Sequence, residues 1–197
     1  MFRMRDNKFR KLWDGVQNLE NLKVIDLKGS FYLNDIPDLS KATKLERVIL
    51  AECHCLTQLI ISNSTLKFLD LSECSQIESL NVHSKYLSQL NLVGCSSLTK
   101  ISVASDELTE LILDGMGNLE SLNVNTRSLE ELKLHGCSSL KEISVASEEI
   151  TILDLSSTPI TSLSISSLPK LTYLDLRNCG NLVSLPELPS ALYGECL

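Results

Sequence analysis

The hydrophobic positions of this chain keep a fixed period. Leu45, Leu66, Leu87, Leu108, Leu129, Ile150, Leu171 and Leu192 fall 21 residues apart, and Leu22 precedes Leu45 by 23. Each from Leu22 to Leu171 opens a stretch in which the first, fourth and sixth residues are apolar and the others mostly polar. Leu66-Lys67-Phe68-Leu69-Asp70-Leu71 is one copy, and Leu129-Glu130-Glu131-Leu132-Lys133-Leu134 is another. Side chains alternate faces along a strand, so the fourth and sixth residues share one face. The pairs Leu69/Leu71, Leu90/Leu92, Leu111/Leu113, Leu132/Leu134, Leu153/Leu155 and Leu174/Leu176 are therefore expected to build a core ladder. The second half of each repeat echoes the first, at Leu98/Ile101/Val103, Leu119/Leu122/Val124, Leu140/Ile143/Val145 and Ile160/Leu163/Ile165. Ser, Asn, Thr and Glu fill the spaces between them. Many of these are poor helix formers, so short extended segments are expected there.

A repeat of this length and pattern marks a leucine-rich-repeat solenoid. The fold is expected to be of the α/β class but mostly β. A parallel concave sheet, about 40 Å long at about 4.8 Å per strand, would be backed by short extended segments on the convex side. Little helix is expected except near the N-terminus. A partial repeat would occupy 1–21, eight repeats 22–191, and a truncated ninth 192–197. Two facing sheets of similar spacing bend little, so the solenoid should be flatter than one backed by helices. Phe9, Leu12, Trp13, Val16 and Leu19 follow helical spacing and predict an amphipathic turn or two, with Trp13 plugging the core beneath the first repeat. Asp35 to Ala42 forms an irregular connection that lengthens the first repeat, and two prolines keep Leu185 to Pro189 extended. Neither end carries the polar cap an open core needs, so the chain is expected to be a piece of something longer or a short relative of it.

Composition narrows the function. The chain is 43% hydrophobic, ample for a continuous core, and its net charge of −7 argues against nucleic acid as the partner. Arg3, Arg5, Lys8, Arg10 and Lys11 depart from that balance. They read as the solvated face of the partial repeat, with a functional basic arm as the alternative. The charged start is not followed by an apolar signal segment. No run approaches the roughly 18 apolar residues of a membrane span, so no membrane insertion is expected and a cytoplasmic or nucleocytoplasmic setting is. Of seven cysteines, Cys53, Cys74, Cys95, Cys137 and Cys179 each stand eight residues after an opening leucine, a slot that Ser30, Met116 and Thr158 fill elsewhere. Met cannot form a disulfide. The column therefore reads as structural, a small buried side chain donating to backbone carbonyls of the neighbouring loop. Cys53-His54-Cys55 lacks the two further ligands of a tetrahedral zinc site, and no metal is expected. Asn63-Ser64-Thr65 is a glycosylation sequon expected to stay unmodified without a secretory signal. His54, His83 and His135 fall at different points of the repeat and bring together no nucleophile, base and orienting acid. Neither an enzyme nor a cofactor is expected.

Three segments carry a resemblance. Lys11 to Leu19, Asn21 to Leu27 and Pro37 to Glu46 resemble the start of the leucine-rich region of plant TIR-type nucleotide-binding disease resistance proteins (TIR-NB-LRR). The Gly-Cys-Ser-Ser-Leu units at Gly94 and Gly136, and Leu185-Pro186-Glu187-Leu188-Pro189, are similar to that family as well. The resemblance implies an innate immune receptor in which the repeats contact pathogen effectors and help hold the receptor off. The partner would be an effector, a host protein the receptor guards, or the receptor's own nucleotide-binding module. This chain has no G-x-x-x-x-G-K-[ST] loop and no TIR segment, so neither ATP binding by that route nor the TIR activity carries over.

The outward residues of the concave strands are the candidate protein-binding site. They are Arg47, Ile49, Phe68, Asp70, Gln89, Asn91, Glu110, Ile112, Glu131, Lys133, Ile152, Asp154, Tyr173 and Asp175, joined by Arg177 after the last strand. Val24 and Asp26 start the two columns. A solvated face would be polar throughout, so the apolar members are informative. Arg47, Ile49 and Phe68 form one expected cluster; Ile152, Tyr173 and Arg177 form another. Arg and aromatic side chains are favoured at interface hot spots. Glu110, Glu130 and Glu131 make an acidic stretch suited to a basic partner. The alternative function is a substrate-selecting adaptor, of a ubiquitin ligase or of a bacterial effector with short Leu-Pro repeats.

Overall fold

A computed structural model of the chain describes residues 1–13, 17–163, 165, 168–185 and 187–193. Among the described residues fourteen strands run in chain order: β1 (Phe2–Arg3), β2 (Val24–Asp26), β3 (Arg47–Ile49), β4 (Gln58–Ser62), β5 (Phe68–Asp70), β6 (Ser79–His83), β7 (Gln89–Asn91), β8 (Lys100–Ser105), β9 (Glu110–Ile112), β10 (Ser121–Thr126), β11 (Glu131–Lys133), β12 (Glu142–Ala146), β13 (Ile152–Asp154) and β14 (Tyr173–Asp175). The contacts divide them into two units. One comprises Met1–Leu98 with Ala104–Asp106, the other Thr99–Val103 with Glu107–Leu197.

In the first unit, β1, β2, β3, β5 and β7 form a parallel front sheet in that order, and β4 pairs with β6 in a parallel back sheet. In the second unit the front sheet is β9, β11, β13 and β14, and β10 pairs with β12 at the back. The fold is a β-solenoid with almost no helix. Apart from the two-residue β1, the front strands are three residues long and span the third to fifth residues of the motif.

Burial follows the pattern. Leu69, Leu71, Leu132, Leu134, Leu153 and Leu155 are completely buried, and Leu92, Leu111 and Leu113 nearly so. Leu90, Leu174 and Leu176 are half-buried. The back strands supply the facing layer, with Leu59, Ile61, Leu80, Val82, Ile101, Val103, Leu122 and Val124 inside. Each such side chain contributes about 2 kcal/mol by leaving water. Strands β4 and β6 extend the echo to Leu56/Leu59/Ile61 and Ile77/Leu80/Val82, two copies beyond those expected. Ile160 and Ile165 are buried as the echo requires, but no strand is described there, and residue 164 lies outside the described residues.

Two hydrogen-bond ladders lock successive repeats. The cysteine column behaves as expected. The thiols of Cys74, Cys95, Cys137 and Cys179 donate to the carbonyls of Leu50, Leu71, Leu113 and Leu155 at 3.0–3.1 Å, and Cys53 to Leu27 at 3.6 Å. Ser30 continues the column with a bond to the Met4 carbonyl at 3.4 Å. Thr158 turns instead to its own loop, donating to Leu155 at 2.6 Å. The second ladder sits where the back strand ends. Ser84, Ser105 and Ser147 donate to the carbonyls of Leu66, Leu87 and Leu129 at 2.7–2.9 Å. Asn63 occupies the same slot and donates its amide to Leu39 and Ala42 at 2.8 and 3.1 Å. That amide is the sequon's acceptor nitrogen, so glycosylation would require the repeat to open. Thr126 holds the slot too, but its hydroxyl is buried without a partner.

The expected N-terminal helix is not found among the described residues; Val16 lies outside them, and the one helical element is a 3-10 turn at Ser190–Tyr193. The backbone has other partners. The amides of Met4 and Asp6 donate to Asp26 and Lys28, carrying the β1 pairing onward. Asn7 accepts the Phe9 amide and donates to Ser30, closing a local turn where helix would begin. Phe9 is 49% exposed, whereas Trp13 is half-buried with Phe2 edge-on at 5.9 Å.

Candidate functional site

The register lines the outward residues up into rows. In the first unit Val24, Arg47, Phe68 and Gln89 stand side by side, and Asp26, Ile49, Asp70 and Asn91 form the parallel row. In the second unit the rows are Glu110, Glu131, Ile152, Tyr173 and Ile112, Lys133, Asp154, Asp175. The two expected clusters form differently. Arg47 places its guanidinium carbon 3.9 Å from the centre of the Phe68 ring, a cation–π contact on an open face, with Ile49 half-buried beside it. Tyr173, 51% exposed, shares a partner with Arg177: both hydrogen-bond to Asp175. Ile152 stands on the adjacent strand, in register with Tyr173. Ile112 is the most exposed apolar member at 53%. Of the acidic stretch, Glu110 and Glu130 are exposed, while Glu131 pairs with Lys133 at 2.8 Å.

The row containing the aspartates departs from expectation, since it was to be an exposed surface throughout. Asp26 is 0% exposed. Arg3 and Arg5 cover it, both guanidiniums hydrogen-bonding its carboxylate at 2.9–3.0 Å. Burial pushes its pKa up, but the bonds from Arg5, the Lys28 amide and Arg3 outweigh that and leave it below the usual carboxylate range. Part of the basic N-terminal cluster is therefore spent on a buried carboxylate. Asp175 is likewise buried under Arg177, whose guanidinium and backbone amide hold it down at about 2. Asp70, Asn91, Asp154 and Asp175 each accept the backbone amide two residues on, at 2.9–3.1 Å. These side chains close the turn that ends the strand, an Asx turn. The sequence signal for it is an Asp or Asn at the fifth motif position, whose short side chain carries an oxygen that reaches the amide two residues on. Ile49, Ile112 and Lys133 have no such duty: Ile112 is open to a partner, and Lys133 is tied only to the neighbouring Glu131.

The thiols are chemically quiet. Burial raises Cys53 and Cys95 to about 12 and Cys74 and Cys137 to about 11, so they are protonated at neutral pH. Cys55 is exposed while Cys53 is buried, so the Cys53-His54-Cys55 run points its sulfurs apart. Among the described residues no group of three or more His, Cys, Asp or Glu could hold a metal ion, and no helix is long and apolar enough to cross a membrane.

Stacked short parallel strands, a leucine core at a fixed period and inward-turned cysteines define a leucine-rich-repeat solenoid, and the Leucine Rich Repeat family model matches residues 170–192. Over part of its length the chain is homologous to disease resistance proteins of Arabidopsis thaliana. It is 46% identical to the disease resistance protein RPP4 over 94 residues, 44% of this chain and 8% of that protein. It is 40% identical to RML1A over 79 residues, and 50% identical to RPS6 over 56 residues, 28% of this chain and 5% of that protein. The chain thus spans less than a tenth of the length of these relatives. Among solved structures it is similar to the functional domain of InlJ from Listeria monocytogenes, which includes a cysteine ladder, with a TM-score of 0.38 and 22% identity over 89% of this chain and 46% of that one. A leucine-rich-repeat solenoid of this kind is typically an interaction module rather than an enzyme.

Proposed function

We propose that this chain is the protein-interaction module of a plant intracellular immune receptor. Its front face recognises a pathogen effector or a guarded host protein, or holds the receptor's own nucleotide-binding module in check. The observation that carries the reading is the Arg47–Phe68 contact on an open front sheet, with exposed Ile112 and Tyr173 in the second unit. Stable burial does not require large apolar and cationic groups on a face that water can solvate. Arginine and aromatic side chains are the types that dominate interface energies, at about 2 kcal/mol or more each. The module works by binding rather than by chemistry.

The test compares front-face variants with back-face ones in the protein that carries this segment, expressed in leaf tissue. Arg47→Glu with Phe68→Ala, and Tyr173→Ala, are expected to abolish triggered cell death or to release it without a trigger. Asn123→Ala and Ser144→Ala on the back strands are expected to leave both readouts alone. Loss of triggering identifies the recognition surface, and constitutive release identifies the autoinhibitory one. Front-face variants indistinguishable from wild type in both readouts would overturn the reading.

A further inference from the structure

A second surface of the first unit lies at the entry to the front strands. A groove of about 410 Å³ is lined by Lys23, Thr43, Lys44, Glu46, Thr65, Lys67 and Tyr86. The stacking of strand entries creates it. The amides of Glu46 and Arg47 bond to the Lys23 carbonyl, and those of Lys67 and Phe68 to the Glu46 carbonyl. Lys23, Glu46 and Lys67 therefore stand on consecutive strands, and the two lysines are two strand spacings apart, about 10 Å. Lys44 bonds the neutral side chain of Asn21 at 2.8 Å. Beside the groove, the Lys85 ammonium lies 5.4 Å from the centre of the exposed Tyr86 ring.

The charge there is not balanced. Among the described residues Lys28, Lys133, Lys141 and Lys170 each have a carboxylate partner within 4.0 Å. Lys23, Lys44 and Lys67 form no such ion pair, and Glu46 is the one carboxylate in the lining. The Lys and Arg of the first unit are matched in number by its Asp and Glu, so the net charge of −7 belongs to the second unit, and the groove is a local excess within a neutral body. Exposed like charges gathered in a concave lining lower their mutual repulsion by binding an anion.

We propose that this groove docks an acidic stretch of a partner polypeptide, its carboxylates on Lys23, Lys44 and Lys67 and an apolar side chain against Tyr86. The spacing suits an extended peptide. At about 3.3 Å per residue, acidic side chains three positions apart span the distance from Lys23 to Lys67. A nucleic acid fits worse, because Glu46 interrupts the cationic row and the row is only about 10 Å long. The surface is separate from the front-face rows, and its test needs no cellular response, so either reading can fail without the other.

The experiment is fluorescence anisotropy with the full 197-residue chain. The probe is a labelled peptide of about ten residues with glutamate at every third position and one leucine, alongside its glutamine counterpart and a short single-stranded DNA. Wild type is expected to bind the glutamate peptide, more weakly as salt rises, and to ignore the glutamine one. The Lys23→Ala, Lys44→Ala, Lys67→Ala triple variant should weaken binding about tenfold, three exposed ion pairs' worth. A Lys141→Ala, Lys170→Ala control should change it less than about twofold. The single variant Lys67→Glu, which touches no core residue, should show the same direction if the triple variant proves hard to fold. Equal affinity of the triple variant and wild type, equal binding of the glutamine peptide, or tighter binding of the DNA would each overturn the proposal.

Discussion

Ser84 and Thr126 occupy the same slot, 42 residues apart by two periods, and only one of them is bonded. Ser84→Ala removes a 2.7 Å bond from a fully buried hydroxyl to the Leu66 carbonyl. The lost bond and the stranded acceptor together cost about 2 kcal/mol. Thr126→Val replaces a buried, unpartnered hydroxyl with a methyl group of nearly equal volume in β10. Removing that desolvated group stabilises by about 1 kcal/mol, and valine suits a strand. Urea unfolding followed by circular dichroism reads both. With a slope of about 2 kcal/mol/M, the midpoint should fall by about 1 M in the serine variant and rise by about 0.5 M in the threonine variant. Repeat arrays can unfold in stages, so slopes must match wild type before midpoints are compared. A Thr126→Val midpoint lowered as far as that of Ser84→Ala would refute the reasoning, since it would mean that the two hydroxyls do the same work.

Other expectations follow from the same geometry. Gly115 has φ of 72° with nothing within 4 Å of an added Cβ, so Gly115→Ala should cost about 1 kcal/mol from backbone strain alone, and Glu73→Gly, at φ of 61°, should recover a similar amount; melting curves decide. Asp175 is held at about 2 by Arg177, below the ordinary carboxylate value of about 3.9. Its contribution to stability is fully present above about pH 4 and is lost as the pH falls through about 2. Carboxyl-carbon NMR of the Arg177→Ala variant should show Asp175 titrating closer to the ordinary value, and an unmoved titration would assign the shift to the backbone amide instead. Iodoacetamide at pH 8 should label Cys55 in the folded protein and spare Cys53, Cys74, Cys95 and Cys137 until urea is added, as read by peptide mass spectrometry.

The sequence made the repeating parts legible and the singular parts obscure. Front strands, back strands and the cysteine ladder could be read because a period of 21 residues tests each assignment several times over. Met116 and Ser30 in the cysteine slot told against disulfides, and the thiol bonds to Leu50, Leu71, Leu113 and Leu155 follow from that slot. The N-terminal helix, which the described residues do not show, rested on one segment. Helical spacing at Phe9, Leu12 and Trp13 could not reveal that the preceding backbone joins the β2 edge. The candidate surface was half legible. Alternation predicts which side chains leave the core, but not that Arg3 and Arg5 reach back 23 and 21 residues to cover Asp26. Nor does it show that aspartates in the same row serve the backbone. The Lys23, Lys44 and Lys67 groove escaped because its members occupy two different repeat positions, and only stacking brings them together.

The turn-closing aspartates divide the front face into a fixed track and an editable one. Changing Asp70, Asn91 or Asp154 to suit a new ligand would undo the strand exit and disturb the next repeat's alignment. The neighbouring row in each unit, Arg47, Phe68 and Gln89 in the first and Glu110, Glu131 and Tyr173 in the second, bears no such burden. A lineage under pressure to recognise a shifting partner can rewrite that track residue by residue, with each intermediate still folded. The scaffold thereby separates the freedom to vary from the obligation to fold, and in each unit it does so with side-chain oxygens that close the strand exits.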